Sequence, residues 1–203
     1  MHWVVTGPIA SGKTTCTWGL ATRLHAVVVP ENFEFHPRLA DLHAGAAPAC
    51  SAQRWFLEQF RQAGVVATEL ARLGERVVQD HSYFDVHQVF NTALHRRGWL
   101  SDDEFLQLAL DYEFGLDDVR PPDLVIALNA QPASLIERVR RRGRPFEQRL
   151  TEEYLAELSE TSRGWWRSWT GCRVVEVDTD SVDPRTSRGV DQVLALAHTK
   201  SLA

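Results

Sequence analysis

The sequence predicts an α/β fold in which a five-stranded parallel sheet carries helices on both faces. Three observations predict it. Five short, mostly Val-rich apolar runs recur along the chain, amphipathic stretches lie between them, and the first run passes through a glycine loop directly into a helix. Alternation of strand and helix enforces parallel pairing, because each crossover must return the chain to the same end of the sheet. Strands buried on both faces read as continuous apolar runs. Ligands of such sheets bind outside the carboxyl ends of the strands, so polar residues there are the first candidates for chemistry.

The first strand is read at Trp3 to Thr6, followed by a helix from Lys13 to His25. Ala26 to Val29 is the second strand. Ser51 is a candidate N-cap for a long helix to Leu73 that stops at Gly74. Within it, Ala52, Trp55, Phe56, Phe60, Ala63, Ala67 and Leu70 keep a helical period. Arg76 to Gln79 is the third strand, Tyr83 to Arg97 a helix ending at Gly98, and Ser101 with Glu104 a capping box for the next helix. Leu124 to Leu128 is the fourth strand. Pro132 sits in the first turn of a helix that runs through Arg142 to Gly143. Thr151 to Trp169 is a further helix, and Arg173 to Val177 the fifth strand. Residues 1–203 read as one domain with an arginine-rich lid at about 138–149.

Composition removes whole classes of function. Of 203 residues, 44% are hydrophobic and 24% charged, which excludes a disordered or fibrous chain. The formal charge of −5 argues against broad nucleic-acid binding. Cys16, Cys50 and Cys172 are an odd number without a CxxC, as expected in a reducing compartment and not of a disulfide framework or zinc site. No apolar run approaches the roughly 20 residues that span a bilayer. The expected location is the cytoplasm.

The sharpest signal is GPIASGKT, Gly7 to Thr14, between a strand and a helix. The pattern G-x-x-x-x-G-K-[ST] lets backbone N–H groups wrap a phosphate chain at a helix N-terminus. Gly7, Ala10, Ser11, Gly12, Lys13, Thr14 and Thr15 are the candidate ATP-binding residues, Lys13 reaching the β- and γ-phosphates and the Thr14 hydroxyl holding Mg2+. At the same rim, the second strand ends in Val29-Pro30-Glu31 and the third in Asp80-His81-Ser82. Phosphoryl transfer to a hydroxyl needs a base and a carboxylate to help hold the metal, and Glu31 and Asp80 can supply both. The segment ERVRRRGRPFE, Glu137 to Glu147, carries Arg138, Arg140, Arg141, Arg142 and Arg144. Arginine forks suit phosphate oxygens, and a mobile arginine flap can neutralise charge as it develops.

In this order, GPIASGKTT, VVPENFEFHP (Val28 to Pro37), AQRWFL (Ala52 to Leu57), QDHSYFD (Gln79 to Asp85), PPDLVIAL (Pro121 to Leu128) and RVRRRGRPFEQ followed by Tyr154-Leu155 resemble the deoxyribonucleoside kinase family. The likeness is to its bacterial deoxyadenosine/deoxyguanosine kinase type and runs from about Trp3 to Asp180. It implies a P-loop kinase that transfers the ATP γ-phosphoryl group to a nucleoside 5′-hydroxyl. It also implies roles by position: Glu31 as general base, Asp80 beside the metal, and Gln53 paired with the base. Phe90 stacks on the base, and Phe56, Phe60, Val86 and Leu39 are substrate-facing. Arg138, Arg142 and Arg144 belong to the lid, Glu147 to the sugar 3′-hydroxyl, and Asp178 and Asp180 to the loop over the ATP adenine. Two positions depart from the family pattern. His81 stands where an Arg bonds the 5′-oxygen and the catalytic base, and His43 aligns with a Tyr beside the sugar.

Other readings are a nucleoside monophosphate kinase or another small-molecule P-loop kinase, or a non-catalytic nucleotide switch. An acceptor phosphate would be repelled by Glu31, and no N-K-x-D guanine motif follows the fourth strand. Phe60 and Val86 occupy positions where relatives that accept cytosine or purines place Arg and Asp, so a thymine- or uracil-type base is expected. Trp55, Val65, Trp99, Trp165, Trp166 and Trp169 suggest apolar helix faces, and the resembled family forms homodimers. The expected partners are therefore a nucleoside and a second copy, with neither nucleic acid nor membrane.

Overall fold

The computed structural model describes residues 1–31 and 49–199. The sheet consists of β1 (His2–Thr6), β2 (Val27–Val29), β3 (Val77–Asp80), β4 (Leu124–Asn129) and β5 (Arg173–Asp178), all parallel, in the order β2-β3-β1-β4-β5. The helices are α1 (Lys13–Leu24), α2 (Ala49–Arg72), α3 (Thr92–Arg96), α4 (Asp102–Leu116), α5 (Pro132–Arg142), α6 (Glu152–Ser168) and α7 (Ser187–His198). This is the parallel α/β architecture that strand–helix alternation requires.

Alternation along the strands divides the core in two. Trp3, Val5, Val78, Leu124, Ile126 and Leu128 face α1 and α7, meeting Cys16, Leu20, Val190 and Val193. Val4, Val125 and Ala127 face the other way, against Leu57 and Phe60 of α2, Leu108 and Tyr112 of α4, and Trp166 of α6. The register aligns Val5 with Asp80, Thr6 with Ala127, and Asn129 with Asp178, so the carboxyl ends of β1, β3, β4 and β5 share one rim. β1, flanked by β3 and β4, is where successive crossovers diverge, which is the place where such sheets open a crevice.

Three local features differ from the sequence reading. A continuous helix over Tyr83 to Arg97 does not form. Tyr83 and Phe84 are drawn into the core, the Tyr83 hydroxyl donating to the Tyr112 carbonyl at 2.8 Å, and the coil begins only at Val86. It opens as a widened π-helical segment, Val86–Asn91, before tightening into α3. Second, Ser51 does not precede α2 but lies within it, since the helix is already formed at Ala49. Third, α7 was not anticipated. Thr186 caps it by accepting from the Gly189 N–H at 3.0 Å, and Val190, Val193 and Ala197 form its buried face. The capping box of Ser101 and Glu104 is present on α4.

Candidate active site

The phosphate loop spans the gap between β1, buried along its whole length, and α1. Gly7 has φ +142° and its missing Cβ leaves room for the Leu128 carbonyl of β4; Gly12 has φ +98° at the helix entrance. Both conformations are strained for residues with a Cβ. The Lys13 ammonium curls over the loop, donating to the Gly7 carbonyl at 3.1 Å and the Pro8 carbonyl at 3.3 Å. Thr14 Oγ1 donates to Asp80 Oδ2 at 2.6 Å, while Asp80 Oδ1 is buried without a hydrogen-bond partner. Burial pushes the Asp80 carboxyl up, against Lys13 and the Thr14 hydrogen bond.

A cavity of about 470 Å³ opens beside this loop. Ala10, Gly12, Lys13, Thr14 and Thr15 form its phosphate-loop wall; Gln53, Phe56 and Phe60 from α2, with Val86, Phe90 and Leu94, form its apolar wall. Glu31 and His81 line the same cavity, as do Arg142, Arg144 and Glu147. The i, i+3, i+7 spacing of Gln53, Phe56 and Phe60 puts them on one helix face. Phe56 and Phe60 stack at 6.4 Å between centroids, and Gln53 is buried among them. An amide that can both donate and accept, beside aromatic walls, is suited to a flat heterocycle.

Glu31 lies two residues beyond β2. Burial pushes its carboxyl up to about 7, Lys13 and Arg144 pulling it down and Asp80 and Asp85 adding to the rise. Its Oε1 is 3.7 Å from His81 Nδ1. His81 has φ +70°, is 2% exposed, and neither ring nitrogen has a hydrogen-bond partner. Burial, aided by Lys13, holds the imidazole well below its ordinary pKa, so it is neutral. Phe60 and Phe90 pack edge-on against the ring at 4.5 and 5.2 Å. On the opposite wall, Arg142 Nε donates to Glu147 Oε2 at 2.5 Å and Nη2 donates to Oε1, with Arg144 Nη1 at 3.7 Å from the same carboxylate.

The structure does not gather every candidate. Gly7, Ser11 and Asp80 lie behind the lining residues, Asp80 meeting the site through Thr14. Arg138, expected in the lid, turns away from the cavity. Its guanidinium donates to Thr179 Oγ1, the Thr179 carbonyl and Asp180 Oδ1 at 2.8, 2.9 and 2.8 Å, stapling the loop after β5. Asp180 also accepts from the Gln131 N–H at 2.7 Å, and Asp178 from the Asp180 N–H at 2.9 Å, so both carboxylates brace that loop. Leu39 and His43 lie outside the described residues. Arg97, Trp99, Arg149 and Tyr154 line the cavity but were not singled out as site residues. Arg97 pairs with Glu157 at 2.8 Å and lies 4.9 Å over the Tyr154 ring. Asp85 was also missed; its only sequence signal is its place four residues after His81.

A parallel sheet, a phosphate loop, a strand-end base candidate and a cavity for a flat ring define a P-loop phosphotransferase acting on a small molecule. The deoxynucleoside kinase family model matches residues 3–197, and the chain belongs to that family. It is 24% identical to a deoxyguanosine kinase of Bacillus subtilis (strain 168) over 156 residues, 76% of this chain and 72% of the relative. It is also 24% identical to a deoxyadenosine/deoxycytidine kinase of the same organism, over 96% of this chain and 92% of that one. The solved structure of deoxyadenosine kinase from M. mycoides with bound dATP superposes with a TM-score of 0.80, covering 96% of this chain and 98% of its own at 16% identity. The chain is thus a nucleoside-phosphorylating enzyme with ATP as co-substrate. No helix among the described residues is long and apolar enough to cross a membrane.

Proposed function

We propose that the enzyme transfers the γ-phosphoryl group of Mg-ATP to the 5′-hydroxyl of a deoxynucleoside. The observation that carries this reading is that Lys13, Glu31 and the Gln53–Phe56–Phe60 face all line one cavity. Glu31 takes the hydroxyl proton; its raised pKa makes it a stronger base than an ordinary carboxylate. Gln53 holds the edge of the base, and Phe90 and Phe56 its faces. Lys13, Arg142 and Arg144 compensate charge on the transferring group, with residues 138–149 acting as the lid. Glu147 holds the sugar, with Arg142 as its present partner.

The donor set fits Mg2+. Asp80 Oδ1 is an orphaned buried oxygen and Thr14 Oγ1 adjoins the same carboxylate, giving a hard oxygen pair beside the phosphate cradle. Thr14 and Asp80 would hold the ion, which supplies charge neutralisation on the phosphates. The 24%-identical relatives named for deoxyguanosine and for deoxyadenosine/deoxycytidine support a deoxynucleoside acceptor.

Assembly as a homodimer is supported by exposed apolar surface. Of the aromatic residues singled out in the sequence, Trp99 is 50% exposed, whereas Trp166 is 2% exposed and Trp165 and Trp169 pack against the core. The exposed apolar stripe is Leu106, Leu110 and Phe114 of α4, spaced i, i+4, i+8. A cytoplasmic location agrees with three free cysteines.

The deciding experiment is ADP release from ATP across a panel of natural nucleosides and deoxynucleosides, with Lys13→Ala as control. A nucleoside-dependent signal that falls at least about a hundredfold in the variant is expected. Nucleoside-independent ATP hydrolysis would favour a nucleotide switch instead.

A further inference from the structure

On the side of the phosphate loop away from the nucleoside cavity, the loop after β5 is fastened to α5 at two points. The Arg138 guanidinium donates to Thr179 Oγ1, the Thr179 carbonyl and Asp180 Oδ1 at 2.8, 2.9 and 2.8 Å. Two turns before Arg138, the Gln131 N–H at the entrance of the helix donates to Asp180 Oδ2 at 2.7 Å. Thr179 is 5% exposed and is anchored in turn, its N–H and its hydroxyl both donating to the Asn129 carbonyl at the end of β4. The same loop leans on the phosphate loop, since a Cβ on Gly12 would lie 3.4 Å from Pro184 Cγ. Arg138, Thr179 and Asp180 do not line the nucleoside cavity.

Strand order says what this loop faces. Glu31 and His81 follow β2 and β3, so the nucleoside cavity opens on that side of β1, and β4 and β5 lie on the other. A triphosphate in the phosphate loop turns its γ-phosphate toward the acceptor, so its base must lie toward β4 and β5. Resting on the reading of the phosphate loop as the seat of Mg-ATP, we propose that Arg138 is a positioning residue of the donor side: it grips Thr179 and Asp180 so that the loop after β5 stands as a wall for the ATP base, and it does not itself meet the γ-phosphate. Three of its five N–H donors are committed to that loop, and reaching a phosphate would break all three bonds. Arg142, four residues and about 6 Å further along the same helix, lines the cavity instead. The two arginines thus divide the work, one ordering the seat of the donor base and the other facing the transferring group. A loop ordered before the nucleotide arrives loses less conformational freedom on binding, which strengthens the complex.

The test is calorimetric titration with ADP, together with kcat and KM for ATP, on Arg138→Met, Thr179→Val and the double variant. ADP lacks the γ-phosphate, so an arginine that acts only on that group leaves its binding untouched, whereas a grip on the base loop affects ADP and ATP alike. Arg138→Met should weaken ADP binding and raise KM for ATP at least about fivefold, with kcat falling less than about threefold and KM for the nucleoside unchanged. Thr179→Val removes one acceptor and should weaken ADP less. Because the arginine acts through Thr179, the double variant should bind ADP within about twofold of Arg138→Met alone. Unchanged ADP binding in Arg138→Met overturns the proposal, and a tenfold loss of kcat beside it would return Arg138 to the lid as a charge on the γ-phosphate. Fully additive losses in the double variant also overturn it. If Arg138→Met does not fold, Arg138→Lys takes its place, since one ammonium cannot span the three acceptors. Wild type that binds no ADP defeats the reading of the phosphate loop, whereas wild-type affinity in the Arg138 variant defeats only the role of Arg138.

Discussion

Thr14 and Asp80 share a hydrogen bond of 2.6 Å, tying the first turn of α1 to the last residue of β3. These elements are 66 residues apart in sequence and meet because β3 pairs with β1 one strand from the phosphate loop. The bond places two oxygens of the kind Mg2+ prefers side by side, one of them with its second carboxylate oxygen unsatisfied. Asp80→Asn keeps the Thr14 contact and removes the charge. The Mg2+ concentration for half-maximal rate should rise at least about tenfold, with kcat falling as well. A Mg2+ titration of both proteins checks it, and coincident curves would remove Asp80 from the metal site.

Glu31 carries the next prediction, which has two readouts. With a pKa of about 7 in the free enzyme, kcat/KM should climb through a midpoint near pH 7. Glu31→Gln should lower kcat by roughly 10²–10⁴ while nucleoside binding persists. Stability follows the opposite sign. A carboxyl whose folded pKa is raised from its ordinary 4.5 favours the folded state below that value, and the benefit disappears as pH climbs to about 7. Glu31→Gln should therefore melt higher than wild type at pH 8, with the difference vanishing near pH 4. Parallel thermal melts measure it, and a pH-independent difference would show that Glu31 is not held protonated by the fold.

The phosphate loop, the rim position of Glu31 and the shared face of Gln53, Phe56 and Phe60 were legible because each depends on local order. A motif fixes its own backbone, a strand end fixes the rim, and helical period fixes a face. What was not legible depends on distant partners. Arg138 shares a helix with Arg142 and reads like it, yet Thr179 and Asp180, over 40 residues on, turn it outward. Asp85 is tied to the phosphate-loop strand only because the Thr6 hydroxyl, 79 residues away, donates to it. The late start of the coil after β3 goes with the long-range hydrogen bond of Tyr83 to the Tyr112 carbonyl, which no helical period records.

Assembly gives a third prediction. Leu106, Leu110 and Phe114 are 59%, 52% and 77% exposed, a continuous apolar ridge along α4 that a second copy would cover. A two-fold contact through antiparallel α4 helices is self-complementary and closes at two subunits. Sedimentation of the wild type at micromolar concentration should give a dimer, and Leu110→Lys with Phe114→Lys a monomer of unchanged fold. A monomeric wild type refutes it.

The last prediction concerns the base. Gln53 has two donors and an acceptor, so it pairs with purine or pyrimidine edges alike. Discrimination must come from the rest of the described wall. There, Phe60 is 6% exposed, packed between Phe56 and His81, and narrows the apolar side of the cavity, which disfavours the larger purine ring system. Val86 offers no hydrogen bond. Arg97 lines the cavity, but its charge is already matched by Glu157 at 2.8 Å. An exocyclic amine on adenine or cytosine thus gains no ion-paired contact from Phe60, Val86 or Arg97, whereas the carbonyls of thymine or uracil need only the Gln53 amide. One good polar contact is worth about 1–3 kcal/mol, or roughly ten- to two-hundredfold in kcat/KM. Thymidine and deoxyuridine should therefore exceed deoxyadenosine and deoxyguanosine by at least about tenfold. The purine names of the 24%-identical relatives point the other way, so the assay separates wall chemistry from family resemblance. Side-by-side kcat/KM values for the four decide it. A tenfold preference for a purine would mean that Phe60 yields to the larger ring, and Phe60→Ala should then leave that preference unchanged.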